Sequence, residues 1–453
     1  MLPVGEDAEP QPYEQAYRRM LAAIRDGTLA RAQDHDELEL GHRFGASPTE
    51  LRGALYRLTY LGLARRTGAT TVRIESLAPE RWAEGSWAVL DLLEIAVRAT
   101  VPEMTDEQVA RHGELVAAAG RDARLRSDAL DTSMLATVAF WADETPNHFV
   151  GRLLHRVLEQ YRYGLEPSPR WRVAGIDRWL AASAQAVQLG DPVSAQQAVH
   201  VLARIWPEHL RDVAVARGMN DPDALRAPAP ATDATILVDD EPDPAWFDLL
   251  GAVRDGTWAP GEVVTTARLA RQFRVPVARL VPMLRRLELT RLVRAVPGTD
   301  DAVVVHTPDL RDWSDSVQLA TGMFEAAFRQ RVTDLSDADA EVVLASLRRI
   351  GQLGRARDYG YVVALLSFAR SCIDGLRNSF LRDSGRIAMD RTAYIMERQT
   401  PFRQWELDDF LAMAADAVRA RDPGLATEAM HAYGRHIDAH VAEVRARYGT
   451  MER

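Results

Sequence analysis

Four consecutive residues, Ser47-Pro48-Thr49-Glu50, carry the sharpest local chemistry in the chain. Serine suits a helix N-cap, proline the first helical position, and a glutamate three residues after the cap closes a capping box. The helix this predicts buries Leu51, Ala54, Leu55 and Leu58 as one stripe and also carries Arg52. An arginine held in a DNA groove can chelate a guanine edge, while Ser47, Thr49 and a helix N-terminus suit a phosphate. That is the chemistry of holding a polyanion, not of breaking bonds. No P-loop, nucleotide-binding glycine motif, Ser/His/Asp order or zinc-hydrolase motif occurs, so an enzyme is the weakest reading.

The charge distribution agrees with the motif although the total does not. The 453 residues carry a net charge of −10. Residues 43–73 hold six arginines against Glu50 alone, and residues 268–294 hold eight against Glu288, which leaves −22 for the rest. Two compact basic islands on an acidic body are a footprint for a polyanion. Every basic residue is arginine, because the chain has no lysine. The one cysteine, Cys372, falls in an apolar helical stretch and reads as an inert core thiol. A hydrophobic content of 47% and a charged content of 26% fit a soluble globular protein. The apolar runs are too short for a membrane span, and the expected location is the cytoplasm.

Around the Ser47 motif the spacing predicts a small domain. Tyr17, Met20, Leu21 and Ile24 form one face of a helix closed by Asp26-Gly27. A short second helix holds Leu38, Leu40 and Phe44, and Gly45 supplies the turn into the third. The segment LARRTGATTVRIE then reads as two short strands about a glycine turn. Helix-turn-helix followed by a wing, with arginines on the last helix and the wing, is what a major-groove reader needs.

The pattern occurs twice. IRDGTLARAQ from Ile24 returns as VRDGTWAPGE from Val253, and the segments from Leu38 and Ala267 match at the same offset of 229. LLEIAVRATVPEMTDEQ from Leu92 aligns with MFEAAFRQRVTDLSDAD from Met323, and GDPVSAQQAVHVL from Gly190 with RDPGLATEAMHAY from Arg421, both at 231. Four matches in order predict a duplicated unit, with Pro- and Asp-rich residues 219–243 as linker. The expected architecture is mainly α: winged helix-turn-helix domains at 8–78 and 244–308, followed by helical bundles at 79–218 and 309–449.

The first head resembles the GntR family of transcription regulators. Glu37, Leu40, Phe44, Gly45, Ser47, Arg52, Ala54, Leu55, Leu58, Gly62 and Leu63 stand at its signature positions. The resemblance implies that Pro48 to Glu50 and Arg52 face DNA, with Arg43 and Thr49 close to phosphates; Arg66 and Thr70 of the wing are further DNA-binding candidates. The family's arginine after the serine is Pro48 here, which implies a different base preference. Arg43 and Arg57 read equally well as solvated helix charges. In the second head Leu269, Phe273, Leu280, Leu284, Leu287 and Leu292 keep the core, but Pro276 replaces Ser47, Val281 replaces Arg52, and Pro282 interrupts the helix. That head is expected to have lost base reading. Arg274 and Arg279 are left to grip the phosphate backbone or to remain a solvated face.

The bundles resemble the FCD effector-binding domain of the FadR-like branch, with six or seven helices. The resemblance rests on Glu94, Arg98, Asp131, Asn147 and Asp191 in the first copy, and on Glu325, Arg329, Ser336, Asp358 and Asp422 in the second. FCD domains that bind metal use an aspartate, a histidine four residues on, and two later histidines. Those histidine positions are Leu135, Leu180 and Leu202 in one copy and Val362, Leu411 and Tyr433 in the other, so no metal and no cofactor is expected. His200, His209, His431, His436 and His440 read as surface or interface histidines. Arg98, Asp131, Asn147, Arg329 and Asp358 are the candidate effector-binding residues around an apolar cavity, each alternatively a buried structural partner. The expected partners are double-stranded DNA and a small-molecule effector, without a membrane. The two bundles would pack as an intramolecular pseudo-dimer, and further homodimerisation is left open. A rival reading is a degenerate regulator that serves as a protein-interaction module.

Overall fold

The computed structural model describes residues 12–448 except 61–62, 69, 76–78, 165–172, 217–220, 222, 224–248, 250–251, 253–256, 260, 278–279, 281–282, 285–286, 288–291, 297–301, 307–309, 359 and 400–406. The chain is mainly α-helical with two small three-stranded antiparallel sheets. It divides into two compact units, one of residues 1–145 with 151–229, the other of residues 146–150 with 230–453.

The first unit opens with α1 (Pro12–Arg25), β1 (Asp34–Asp36), α2 (Glu37–Phe44), α3 (Pro48–Tyr60), β2 (Ala64–Arg66) and β3 (Thr71–Ile74). Strand order is β1-β3-β2, with Ala64 opposite Ile74 and His35 opposite Val72. The wing therefore has three strands where the sequence predicts two. Asp34–Asp36 is too short and too polar to read as a strand, and only pairing with β3 makes it one. Asp36 then caps α2, accepting from the amides of Leu38 and Glu39. Gly45 ends α2 with φ +58°, the left-handed geometry a tight helix-turn-helix corner requires. Tyr17, Met20, Ile24, Leu40, Leu51, Leu55 and Leu58 close a single core beneath the sheet.

Six helices follow: α4 (Pro79–Thr100), α5 (Asp106–Leu125), α6 (Leu130–Glu144), α7 (His148–Gly164), α8 (Val173–Leu189) and α9 (Pro192–Ala216). Thr105 and Gln108 form a reciprocal capping box that starts α5. An aromatic cluster fills the bundle. Trp82 stacks on Tyr161 with centroids 5.5 Å apart, Tyr161 lies 5.8 Å from Trp206, and the Trp82 indole N–H donates to the Tyr161 carbonyl at 3.0 Å.

In the second unit β4 (Val263–Thr265), α10 (Thr266–Phe273), β5 (Val293–Ala295) and β6 (Ala302–Val305) build a sheet of order β4-β6-β5. Arg274 takes the left-handed position of Gly45 with φ +54°, which costs a non-glycine residue about 1 kcal/mol. Its bundle comprises α11 (Leu310–Asp334), α12 (Asp337–Arg355), α13 (Gly360–Asp374), α14 (Ser379–Gln399), α15 (Asp408–Ala420) and α16 (Pro423–Tyr448). Helices α5, α7 and α9 start 231 residues before α12, α14 and α16, so the element spacing follows the offset of the sequence matches. Among the described residues no helix is long and apolar enough to cross a membrane.

Candidate functional site

The N-terminal edge of α3 stands open to solvent. Ser47, Pro48, Thr49 and Arg52 are all exposed, while Leu51, Ala54, Leu55 and Leu58 anchor the opposite face. The capping box forms as the spacing requires: the Ser47 amide donates to the Glu50 carboxylate at 2.7 Å, and the Glu50 amide donates to the Ser47 hydroxyl at 3.3 Å. The backbone and hydroxyl of Ser47 hold the Glu50 carboxyl below its ordinary range. Pro48 has no amide, and among the described residues the Thr49 amide has no acceptor, so one first-turn donor faces outward. Arg52 folds back so that Nε donates to the Pro48 carbonyl at 3.3 Å, leaving its terminal nitrogens on the exposed side. Arg43 donates to the Thr28 carbonyl and lies over the Phe44 ring at 5.6 Å.

The wing is less free than its sequence suggests. Arg66 pairs with Glu37 of α2, Arg65 with Glu75 at 2.9 Å, and Arg73 with Asp34 at 2.8 Å. Hydrogen bonding to Arg73 draws the Asp34 carboxyl down and the Arg73 guanidinium up. Glu37 and Asp34 lie 29 and 39 residues from their arginines, which is why a count of local charge misses them. Thr70 is exposed at the wing, where its carbonyl accepts the Glu37 amide at 2.8 Å.

In the second head the Pro276 carbonyl accepts the Leu280 amide at 3.2 Å, as the Ser47 carbonyl accepts that of Leu51, but Pro276 offers no side-chain oxygen to cap the helix. Leu280, Met283, Leu284 and Leu287 are buried and Arg274 is exposed. Val281 and Pro282, on which with Pro276 the expected loss of base reading rests, and the phosphate-contact candidate Arg279 lie outside the described residues, as do Arg285 and Arg286.

None of the five candidate effector residues lines the small cavity of either bundle. Arg98 and Asp131 are half-buried on α4 and α6, and Arg329 is half-buried on α11. Asn147 is fully buried and caps α7, its carbonyl oxygen accepting from the amides of Phe149 and Val150 at 3.1 Å while its amide donates to the Asp315 carbonyl at 2.9 Å. Asp358 is exposed and accepts the Gly360 amide at 2.8 Å before α13. Its counterpart 231 residues earlier is Ser127, which accepts the Ala129 amide in the same place; Asp131 corresponds to Val362.

Each bundle has a small cavity that the candidate residues do not line. The first, about 10 Å³, is bounded by Leu135, Leu158, Tyr161, Leu202 and Trp206 among others. The second, about 30 Å³, is bounded by Leu366, Met389, Thr392, Tyr433, Ile437 and His440 among others. Every residue lining the first has its counterpart 231 positions later in the lining of the second. Two of the positions where the family resemblance places metal histidines, Leu135 and Leu202, lie on this wall, as do Val362 and Tyr433. Among the described residues no group of three or more His, Cys, Asp or Glu side chains could hold a metal ion.

The histidines of α9 and α16 are more deeply placed than a surface reading allows. His209 and His440, 231 residues apart, are 2% and 3% exposed. The Tyr161 hydroxyl lies 2.8 Å from His209 Nε2, and burial pushes that imidazole down to about 3. Partly buried His200 pairs with buried Glu94 at 2.9 Å, and its counterpart His431 with buried Glu325 at 3.4 Å. Neither pair was recognised in the sequence, although the two glutamates and the two histidines recur at one common offset.

No family model and no curated protein matches the sequence. Solved structures do. A structure of Escherichia coli McbR/YncC matches with 15% identity and a TM-score of 0.36, covering 46% of this chain and 99% of its own. A Streptococcus agalactiae GntR structure covers 42% and 98% at 18% identity and a TM-score of 0.23. A GntR family transcriptional regulator from Pseudomonas syringae covers 46% and 91% at 19% identity and a TM-score of 0.25. Each is matched over nearly its whole length by less than half of this chain.

Proposed function

We propose that the chain is a DNA-binding transcription regulator of GntR type in tandem-duplicated form, the first head reading sequence and the second gripping the phosphate backbone. The observation that carries this reading is the open N-terminal edge of α3, where a free amide, two hydroxyls and Arg52 stand together on a helix braced by a wing. FCD-like bundles that respond to a small effector fit the same reading. The Tyr17 hydroxyl of α1 donates to Glu159 of α7 at 2.6 Å, beside the cavity-lining Leu158, so a shift of α7 has a direct route into the head. The duplicated bundles would form a pseudo-dimer within one chain.

Binding of duplex DNA by the whole chain, followed by gel shift and footprinting, tests it. Arg52→Ala should weaken a specific site by about 1–3 kcal/mol, whereas Val281→Ala should leave it nearly unchanged. Equal loss from both, or none from Arg52→Ala, removes the division of labour.

A second reading is that the heads engage a protein partner. The pairing of Arg65, Arg66 and Arg73 with acids favours it, because those arginines present less net charge to a phosphate. Binding to random duplex DNA that is insensitive to salt or absent at low ionic strength selects this reading, since phosphate contacts give a steep salt slope.

A further inference from the structure

The two equivalent cavities are not equally occupied by their own side chains. In the first bundle Tyr161 and Trp206 fill the space, locked by the Trp82 stack and the hydrogen bond to His209. In the second the same positions are Thr392 and Ile437, and Leu158 has become Met389. Two large rings of the first lining are thus replaced by smaller side chains in the second, while Leu202 is replaced by Tyr433. The smaller cavity can hold no more than one water by the usual threshold of roughly 10–15 Å³ per molecule, while the larger admits about two.

We propose that the second bundle alone is the effector-binding unit, and that its ligand is a compact, uncharged, mostly apolar ring compound with one hydrogen-bonding group. This deepens, and rests on, the reading of the bundles as effector domains. The wall is largely apolar, from Trp313, Phe324, Leu365, Leu366 and Met389, with Thr321, Thr392, Tyr433 and His440 as its polar members. No Asp, Glu or Arg lines it, so nothing there would compensate a buried carboxylate, whose transfer from water without a partner is prohibitive. The wall also lacks the ligand set that would present a carboxylate to a metal. Neutral groups remain to orient the guest: burial lowers the His440 imidazole and raises the Tyr433 phenol, so near pH 7 both can exchange hydrogen bonds without charge. A benzene-sized guest needs a cavity of roughly 150 Å³. Entry therefore requires the wall to move, and the unbranched Met389 is the side chain suited to give way.

The test uses the full chain without DNA, phenol as probe and benzoate as its charged counterpart, with calorimetric titration and thermal unfolding as readouts. Phenol should bind saturably at one equivalent and raise the unfolding temperature with concentration, while benzoate should do neither. Thr392→Tyr and Ile437→Trp, which restore the residues of the first bundle, should each weaken phenol binding by about tenfold or more. Absence of saturable phenol binding, two equivalents, comparable binding of benzoate, or undiminished binding in either folded variant would overturn the proposal. If neither variant folds, the stoichiometry and the phenol–benzoate contrast in the unaltered chain decide it. Because no DNA is present, failure of the DNA-binding reading leaves the outcome unaffected.

Discussion

Ser47 and Glu50 satisfy each other's amides at the start of α3, and the strength of that arrangement sets how well the reading edge is held. Replacing Ser47 with alanine removes a capping acceptor and should lower stability by about 1 kcal/mol in denaturant unfolding. DNA affinity should fall further than that change in stability accounts for, because the same hydroxyl is offered to phosphate; equal affinity in the two proteins would confine Ser47 to capping. This part of the site was legible because cap, proline and glutamate lie within four residues and their geometry is local. Arg66 was legible as a charge but not as an ion pair, since Glu37 reaches it only when β1 brings the start of α2 against the wing. Asp358 accepts the Gly360 amide two residues on, just before α13, and Ser127 accepts the Ala129 amide in the same way before α6, a local turn role that a short polar side chain ahead of a helix also signals.

Helices α5 and α9 each bring an imidazole into the first bundle, where packing keeps it neutral. His112 is 1% exposed, its Nε2 lies 3.1 Å from the Ser183 hydroxyl of α8, and burial pushes it down to about 4. His209 on α9 is pushed to about 3 for the same reason, against a small opposing pull from Asp212. Both folded values lie below the ordinary 6.5, so the unfolded chain binds more protons as pH falls below 6.5. Stability should therefore drop from about pH 6.5 down to about pH 4 for His112 and about pH 3 for His209, by at most roughly 3 and 5 kcal/mol respectively. His112→Gln keeps a hydrogen-bonding partner for Ser183 without titrating, and should flatten that slope in pH-dependent unfolding; an unchanged slope would mean that His112 is not buried neutral. The helices themselves were readable from apolar spacing and caps. The inward turn of His209 and His440 was not, because a histidine fits a half-polar helix face as well as a core once a tyrosine or tryptophan lies beside it.

Across the whole molecule the proposed duplication rests on four sequence matches at nearly one offset, and the starts of α5, α7 and α9 precede those of α12, α14 and α16 by the same 231 residues. The offset does not reveal how the matched positions differ: Pro276 without a capping oxygen where Ser47 has one, Arg274 in the left-handed place of Gly45, and Thr392, Ile437 and Tyr433 where the first cavity has Tyr161, Trp206 and Leu202. The electrostatics show a similar asymmetry. The basic islands are offset by acids both within each head and in the −22 of the remaining chain, so few phosphates should be neutralised on binding. If the three paired wing arginines keep their carboxylates, Arg43 and Arg52 remain among the described side chains, and two phosphate contacts give a slope of log affinity against log salt of about −1.8 from the first head. Glu37→Gln removes the charge that holds Arg66 while keeping a hydrogen-bonding side chain at the start of α2. Freed for one more phosphate, Arg66 should steepen the slope by about 0.9 and tighten binding at low salt, on specific and random duplexes alike. A slope unchanged by Glu37→Gln would place Arg66 away from the backbone, and one made shallower would mean that Glu37 positions α3 for contact and does not merely shield the wing.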